Sequence, residues 1–317
     1  MYKIGVDLGR TNIAEGLVDE NNKRIIGRGK LKTKLPRIPD EVFDDMSKAC
    51  LAAAADAGIT MDEVELVGIG APGTINKNTG SIEFSNNFDF KNVPARRMLS
   101  DRLRGKKVFI DNDANCAALG EAIAGVGSGV SSFVAITLGT GVGSGIVIDG
   151  KILTGINFAA GEMGHMVICA DGEKCTCGRR GCWEQYASAS ALTAQTKDAM
   201  QHNQNSIMWY LVKDNIDEVN GRTAFDAMRQ GDEAAQKVVE KYIYYVATGI
   251  INIINALQPE IICVGGGIGH EGDYLLEPLR RHVVRERYSI YASKQTRIEA
   301  AVLGNDAGIF GAAMLDC

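Results

Sequence analysis

The sequence reads DLGRTN at Asp7–Asn12, between two apolar, strand-like runs at Tyr2–Asp7 and Ile13–Asp19. A similar glycine-rich turn, LGTGVG at Leu138–Gly143, follows the strand pattern Ser132–Leu138. Glycines in such turns let backbone N–H groups converge on an anion, Thr hydroxyls add donors, and an Asp can hold Mg²⁺ through water. Either turn alone could be no more than a tight hairpin that needs positive φ. Their matching positions predict two lobes that grip a nucleotide's phosphates.

The order of predicted elements repeats along the chain and indicates an α/β fold. After the hairpin, the first half predicts a strand, a helix, a strand, a helix, a strand and a helix, at Lys23–Lys32, Asp40–Ala57, Leu66–Ala71, Pro94–Leu103, Lys107–Ile110 and Ala114–Ala124. After its own hairpin, ending in the strand Gly145–Asp149, the second half predicts three helices, a strand and a closing helix, at Ser188–Gln201, Thr223–Gln230, Glu233–Leu257, Glu260–Val264 and Gly304–Leu315. We place the lobes at residues 1–115 and 116–303.

Length and charge narrow the class of protein. A chain of 317 residues exceeds the ~250–300 at which single hydrophobic cores stop growing, which favours two lobes. A net charge of −5 without a basic stretch argues against nucleic-acid binding. The most apolar run, Ile243–Leu257, is too short for a membrane span and indicates a buried helix or a subunit contact. The N-terminus lacks the zones of a secretory signal, so we expect a cytoplasmic protein.

Two common nucleotide-binding signatures fail. No P-loop pattern is present, because the Gly-Lys pairs at Gly29, Gly105 and Gly150 are not followed by Ser or Thr. A literal G-x-G-x-x-G begins at Gly267, but no βαβ pattern is evident after it. The wider turn Gly265–Gly267 still predicts bare backbone against which an adenine can lie.

Four residues with metal-binding side chains cluster in one segment. His165, Cys175, Cys177 and Cys182 have the spacing H-x9-C-x-C-x4-C, with glycines that let the loop bend. Three thiolates and an imidazole suit tetrahedral Zn²⁺, and four protein ligands make a closed, structural site. The alternatives are redox-active thiols or merely buried ones.

Acidic residues flank this cluster and end a predicted strand. Glu162 and Glu184 would enter one pocket if a metal tied their segments together, where they could accept hydrogen bonds from a polyol; either alone could equally be a surface acid. Asp111-Asn112-Asp113 lies between a strand and a helix, where α/β folds place ligands. An Asp there could be a general base, and the alternative is a helix N-cap.

The chain resembles the ROK family (repressors, open reading frames and sugar kinases), and within it the members that phosphorylate glucose. The resemblance rests on GEMGH at Gly161–His165 and CTCGRRGCWE at Cys175–Glu184, and it extends over essentially the whole length. It implies an actin-like, ribonuclease H-like ATPase fold with two lobes around a central cleft. It also implies that the helix at about 304–317 packs on the N-terminal lobe.

The resemblance further implies ATP-dependent transfer of a phosphoryl group to the 6-hydroxyl of a hexose, with glucose the expected sugar and Mg²⁺ and structural Zn²⁺ as cofactors. Asp113 would be the base. The sugar would be held by Gly73, Asn87, Asn112, Asp113, Glu162, His165 and Glu184. The nucleotide would be held by Asp7, Gly9, Arg10, Thr11, Asn12, Gly139, Thr140, Gly141, Gly265, Gly266 and Gly267.

The resemblance leaves alternatives and one departure. Arg10 stands where the family's first phosphate turn usually has a second glycine. The sugar could instead be N-acetylmannosamine, N-acetylglucosamine, mannose, fructose or allose. A sugar-responsive repressor is disfavoured, because no DNA-binding module precedes Asp7 and no recognition helix is evident. The family also favours a homodimer or homotetramer.

Overall fold

A computed structural model describes residues 1–85 and 88–316. The chain divides into two compact units, residues 1–135, 145–161 and 302–317 in the first and residues 136–144 and 162–301 in the second. The first part of the chain forms β1 (Tyr2–Leu8), β2 (Asn12–Asp19), β3 (Arg24–Lys32), α1 (Pro39–Asp56), β4 (Val64–Ala71), β5 (Thr74–Asn76), β6 (Ser81–Ser85), β7 (Phe90–Val93), α2 (Ala95–Arg102), β8 (Lys107–Asn112) and α3 (Asp113–Ala124).

The rest of the chain returns to strands before a helical stretch. It forms β9 (Ser132–Leu138), β10 (Val142–Ile148), β11 (Lys151–Ile152), α4 (Glu184–Ala187), α5 (Ala189–His202), α6 (Ile207–Leu211), α7 (Thr223–Arg229), α8 (Glu233–Leu257), β12 (Ile261–Gly265), α9 (Asp273–Glu286), β13 (Arg297–Ala300) and α10 (Asp306–Ala313). The predicted α/β order is confirmed, and β9 and α8 match their predicted bounds to the residue. Among the described residues, no helix is both long and apolar enough to cross a bilayer.

The first sheet has the strand order β3-β2-β1-β4-β8. The strands β1, β2 and β3 form an antiparallel meander, and β4 and β8 run parallel to β1. Because side chains alternate along a strand, Ile4 and Val6 face away from Gly5 and join Phe43 and Met46 of α1 in the core. Because β1, β4 and β8 are parallel, their carboxyl ends meet at one edge of the sheet, where ligands bind in α/β folds.

The helix α10 packs closely on β1, β4 and α3 because glycines leave room for its backbone. A Cβ on Gly5 or Gly68 would run into carbonyl groups of α10, and a Cβ on Gly120 of α3 would meet the carbonyl of Ala307. Past the helix, Asp316 accepts a hydrogen bond from the buried Lys3 Nζ at 2.9 Å. These contacts fix the last turns of the chain to the first strand.

Sequence reasoning missed several elements of the fold, namely the short β11, α4 and α6 and those that follow. The strands β5, β6 and β7 form a separate antiparallel sheet, and at three to five residues each they are too short to show a period. Gly267 lies inside a βαβ unit of which the sequence predicted only the first strand, because β12 precedes this glycine and α9 and the parallel β13 follow it in the second five-stranded sheet, β11-β10-β9-β12-β13. Pro278 lies inside α9 and conceals it, since proline disfavours a helix interior.

The close approach of α10 predicts the effect of a single methyl group. Gly68→Ala places a Cβ against the carbonyl of Ala312, and we expect the free energy of unfolding to fall by about 1–3 kcal/mol. Gly267→Ala is the control, because its φ is −59° and its Cβ would meet nothing within 4 Å. Urea denaturation followed by circular dichroism measures both variants. Equal midpoints for the two would contradict the close packing.

A buried carboxyl on β2 predicts how stability depends on pH. Glu15 is 1% exposed, and neither of its oxygens has a hydrogen-bond partner among the described residues. Burial, and then the nearby Asp7, raise the pKa of Glu15 from an ordinary 4.5 to about 9. Between these values the folded chain keeps a proton that the unfolded chain has lost. Stability therefore falls as the pH rises through this window, by up to about 1.4 kcal/mol per pH unit.

Glu15→Gln should remove this dependence. We expect the variant to gain on the wild type as the pH rises from 5 to 9, with Glu65→Gln, an exposed carboxylate on β4, as the control. Denaturation midpoints at pH 5, 7 and 9 test it. Parallel curves for wild type and both variants would show that Glu15 is ionised in the folded protein.

Candidate active site

The junction of β8 and α3 holds the acidic segment predicted from the sequence. Asn112 is the N-cap, since its Oδ1 accepts hydrogen bonds from the backbone N–H of Ala114 at 2.9 Å and of Asn115 at 3.4 Å. Its Nδ2 donates to the carbonyl of Gly73 at 3.1 Å. The capping role that we considered for the aspartates is thus filled by Asn112. Asp113, the first residue of the helix, also accepts from the N–H of Ala114 through Oδ1 at 2.9 Å, but only Asn112 reaches the N–H of Asn115 as well.

Asp111 is a buried part of the same junction. Its Oδ1 accepts from Asn115 Nδ2 at 3.0 Å, and its Oδ2 lies 2.8 Å from Lys77 Nζ. Lys77 belongs to the turn between β5 and β6, so an ion pair joins the small sheet to the acidic segment. Breaking a buried pair leaves an unpaired charge, which is costly. No local sequence pattern reveals this partner, because 34 positions separate the two residues.

Two further carboxyls share this region of the first unit. Burial, and then the charge of Asp113, raise the pKa of Asp7 to about 6. Burial also raises the pKa of Asp113. Asp7 is the last but one residue of β1, and Asp113 directly follows β8, at the edge where the carboxyl ends of these two strands meet. A carboxylate with a raised pKa is the stronger base at neutral pH, and two close like charges attract a cation.

The first glycine-rich turn links β1 to β2. The backbone N–H of Gly9 donates to the carbonyl of Asn12 at 3.0 Å, and Thr33 Oγ1 donates to the carbonyl of Gly9 at 2.7 Å. Arg10 and Thr11 are exposed, and Asn12 Oδ1 is buried without a hydrogen-bond partner in the described chain. Arg10 does not have positive φ, so the residue that departs from the family pattern costs no backbone strain.

The second glycine-rich turn, between β9 and β10, is held by the segment that follows Cys182. The backbone N–H of Ala189 donates to the carbonyl of Gly139 at 2.7 Å, and Ser190 Oγ donates to that of Thr140 at 2.8 Å. Glu184 Oε2 accepts from the backbone N–H of Val142 at 3.0 Å. The turn is therefore fixed on both sides of its tip.

The alternative interpretation of these turns, tight hairpins whose glycines need positive φ, is not supported at three of the glycines. Gly9, Gly139 and Gly141 all lie outside the positive-φ region, whereas Gly266, in the turn after β12, has a φ of +81°. Gly266 also lies against the backbone of Leu138, where a Cβ would collide. Gly267 beside it is exposed, and a Cβ there would meet nothing within 4 Å.

The four predicted metal ligands come together in the second unit. The ligand atoms of His165, Cys175, Cys177 and Cys182 all lie within 4.8 Å of one another. Cys175 Sγ is 3.5 Å from His165 Nδ1, and Cys177 Sγ is 3.6 Å from Cys182 Sγ. In a tetrahedral zinc site, bonds of ~2.3 Å to sulfur and ~2.0–2.1 Å to nitrogen place a sulfur and a nitrogen ligand ~3.5 Å apart and two sulfur ligands ~3.8 Å apart. The cluster fits a structural zinc site.

Charge in the cluster supports the same conclusion. Burial, and then the neighbouring thiols, raise the pKa of Cys182 to about 12, so this thiol resists ionising without a cation, whereas a hydrogen bond from the backbone of Arg179 lowers the pKa of Cys177. Gln185 Nε2 donates to Cys175 Sγ at 3.6 Å, which is the kind of contact that orients a ligand from behind. The loop itself turns at Gly178 and Gly181, which have positive φ.

The structure assigns the predicted sugar-binding residues to their units. Gly73, Asn112 and Asp113 belong to the first unit, and Glu162, His165 and Glu184 belong to the second. Glu162 is exposed and begins the short 3₁₀ turn Met163–His165, and His165 is half-buried with Nδ1 toward the thiols. Asn87 lies outside the described residues.

The chain is similar to known proteins over nearly its whole length. A glucokinase from Thermotoga maritima is 37% identical over 313 residues, which cover 98% of this chain and 96% of the relative. A crystal structure of a ROK family glucokinase from Streptomyces griseus, in complex with glucose and AMPPNP, has a TM-score of 0.82 and 35% identity and covers 99% of both chains. A putative xylose repressor from Caldicellulosiruptor is 32% identical over 97% of this chain and 76% of the repressor.

The ROK family model matches residues 3–316. Together with the solved relatives, this match shows that the chain belongs to the ROK family and has its actin-like ATPase fold.

Proposed function

We propose that this protein is an ATP-dependent glucokinase, which transfers the γ-phosphoryl group of ATP to the 6-hydroxyl of glucose. The observation that carries the proposal is Asp113, a carboxyl with a raised pKa at a helix start that Asn112 already caps. Full-length relatives that are glucokinases, and a solved relative that holds glucose and AMPPNP, supply the substrates.

In this proposal Asp113 takes the proton of the sugar's 6-hydroxyl. Burial raises its pKa, which strengthens it as a base. The ring hydroxyls are held by Gly73, Asn87, Asn112, Glu162, His165 and Glu184. Asn112 reaches them with the second amide hydrogen of Nδ2, since the first is bonded to Gly73.

The nucleotide is assigned to the glycine-rich turns. The phosphates lie against Gly9, Arg10, Thr11, Asn12, Gly139, Thr140 and Gly141, and the adenosine against Gly265, Gly266 and Gly267. Asp7 would hold Mg²⁺. The fit to a cation is electrostatic, because Asp7 and Asp113 raise each other's energy when both are charged and Asn12 Oδ1 lacks a donor in the described chain.

Phosphoryl transfer needs alignment and charge neutralisation more than covalent chemistry, because its transition state is loose. Mg²⁺, when bound, neutralises charge on the phosphates. The turns orient the γ-phosphoryl group, and Asp113 accepts the proton as the sugar oxygen attacks. Water must be excluded from this site, because it is a nucleophile similar to a sugar hydroxyl.

Zinc is proposed as the resident ion of the His165, Cys175, Cys177 and Cys182 cluster. With Nδ1 directed at the thiols, His165 keeps Nε2 for a sugar hydroxyl. The ion would supply structural cross-linking alone, since four protein ligands leave no open position. It therefore orients the sugar pocket without taking part in transfer.

The preferred hexose is tested by a coupled ADP-release assay over a panel of hexoses and N-acetylhexosamines, ranked by kcat/KM. We expect glucose to rank first. A higher rank for N-acetylmannosamine, N-acetylglucosamine, mannose, fructose or allose would replace glucose in the proposal. If no sugar of the panel caused ATP to be consumed, the kinase assignment would be overturned, and a sugar-binding regulator like the repressor relatives would be favoured.

We further propose that the protein acts in the cytoplasm, which keeps thiols reduced and supplies ATP, and that it forms a homodimer or homotetramer. Tyr288 and Tyr291 support an interface, because they are 90% and 95% exposed and aromatic residues are enriched at protein contacts. The apolar run in α8 does not, because most of it is buried within its own unit. Light scattering measures the mass in solution.

The role of Asp113 predicts a turnover defect without a binding defect. Asp113→Asn removes the base and keeps the size of the side chain, so kcat should fall by ~10²–10⁴-fold while the Kd for glucose stays within a few-fold. Asp101→Asn, an exposed aspartate on α2, is the control. Steady-state kinetics and calorimetry give both quantities. A variant with a near-normal kcat would remove Asp113 from the role.

The zinc assignment predicts a difference between two exposed cysteines. Cys177→Ser removes a ligand, so metal analysis should find the ion lost, with a lower Tm and a higher KM for glucose because His165 is misplaced. Cys169→Ser changes a neighbouring exposed thiol outside the cluster and should keep about one zinc per chain. Wild-type protein purified without zinc, yet stable and active, would contradict the assignment.

A further inference from the structure

Glu184 contacts the second glycine-rich turn with one oxygen only. Its Oε2 accepts the hydrogen bond from the backbone N–H of Val142 at 3.0 Å. Within the described residues, no hydrogen bond is formed by Oε1. One carboxylate can therefore hold the turn and accept a second donor at the same time, since an ionised carboxylate has about four acceptor sites.

Gly141 makes this arrangement possible. A Cβ at this position would overlap Glu184 Oε2 and push the carboxylate away from Val142. The backbone of Gly141 does not have positive φ, so an alanine would be tolerated by the chain itself. The missing side chain at residue 141 is required by Glu184, not by the turn.

The rest of the turn is held independently of Glu184. The carbonyls of Gly139 and Thr140 accept from Ala189 and Ser190 at the start of α5. Glu184 provides the bond on the other side of the tip, to an N–H that follows Gly141. Whatever fixes the Glu184 side chain therefore also fixes the Val142 side of the turn.

We propose that Gly141 is a positioning residue of the sugar pocket, because it leaves the space in which Glu184 bonds to Val142. The Glu184 carboxylate, held in this way, couples glucose binding to nucleotide binding. This inference rests on the proposed function, in which glucose contacts Glu184 and phosphates contact the turn. Glucose on Oε1 holds the carboxylate in place, which orders the Val142 bond and prepares the turn for the nucleotide. By linkage, the nucleotide must tighten glucose binding by the same factor.

The test is a glucose titration by calorimetry, with and without AMPPNP, on three variants. In the wild type we expect AMPPNP to lower the Kd of glucose about five-fold or more. Gly141→Ala should weaken glucose binding even without nucleotide, and the effect of AMPPNP should shrink toward none. Ser190→Ala loosens the same turn without touching Glu184, so the Kd of glucose alone should stay at the wild-type value. Gly139→Ala adds the same methyl group in open space and should alter only nucleotide affinity.

The outcomes separate the inference from the function. Wild-type protein that binds neither glucose nor AMPPNP overturns the proposed function. Wild-type protein that binds both with no coupling, or a Gly141→Ala variant that binds glucose as Gly139→Ala does, overturns the inference alone.

A second measurement covers a Gly141→Ala variant that fails to fold. In the wild type, glucose without nucleotide should slow hydrogen exchange at the Val142 amide several-fold, because its acceptor becomes fixed. The Ala189 amide, which bonds to Gly139 independently of Glu184, should change little. Equal exchange at Val142 with and without glucose would overturn the inference.

Discussion

The second unit depends on one buried indole. Trp183 is fully buried, its Nε1 donates to the carbonyl of Tyr245 at 2.8 Å, and its ring packs on Gly249, where a Cβ would overlap it. The residue before it, Cys182, faces the thiol cluster, and the residue after it, Glu184, holds Val142. Fixing this ring on α8 therefore sets the direction of a candidate metal ligand on one side and of a candidate substrate-binding residue on the other.

The first unit keeps several carboxyls under conditions that raise their free energy. Asp7, Glu15 and Asp113 all have raised pKa values for which burial is the main cause, and of the buried acids near them Asp111 is paired with Lys77. A stability-optimised core would not contain such a group of acids. Destabilised groups of this kind are typical of functional sites, where a ligand or cation supplies the missing charge. The carboxyls that are unfavourable to bury thus include the proposed base, Asp113, and the proposed cation-binding residue, Asp7.

Two kinds of feature were predicted best from the sequence: clusters of residues that are close together in the chain, and long helices with many periods. The metal ligands lie within 18 positions of one another, and α8 shows its period over 25 residues, so both were found. The bond from Glu184 to Val142 and the pair of Lys77 with Asp111 join residues 42 and 34 positions apart, and no spacing rule indicates them. Glu15 carried a signal, since it is a charge inside the apolar strand β2, but the strand pattern alone does not tell which face it occupies.

The glycines of the two turns show that residue type alone does not explain why a turn contains glycine. Positive φ was the alternative explanation for these glycines, yet Gly9, Gly139 and Gly141 do not have it. What matters is the space beside each position. At Arg10 the space is solvent, so a long side chain replaces the family's glycine without strain. At Gly141 the space is filled by the Glu184 carboxylate, so any Cβ must displace a group on which both proposed ligands depend. A glycine of the motif can therefore be replaced at residue 10 but not at residue 141. Only the packing around the two positions distinguishes them.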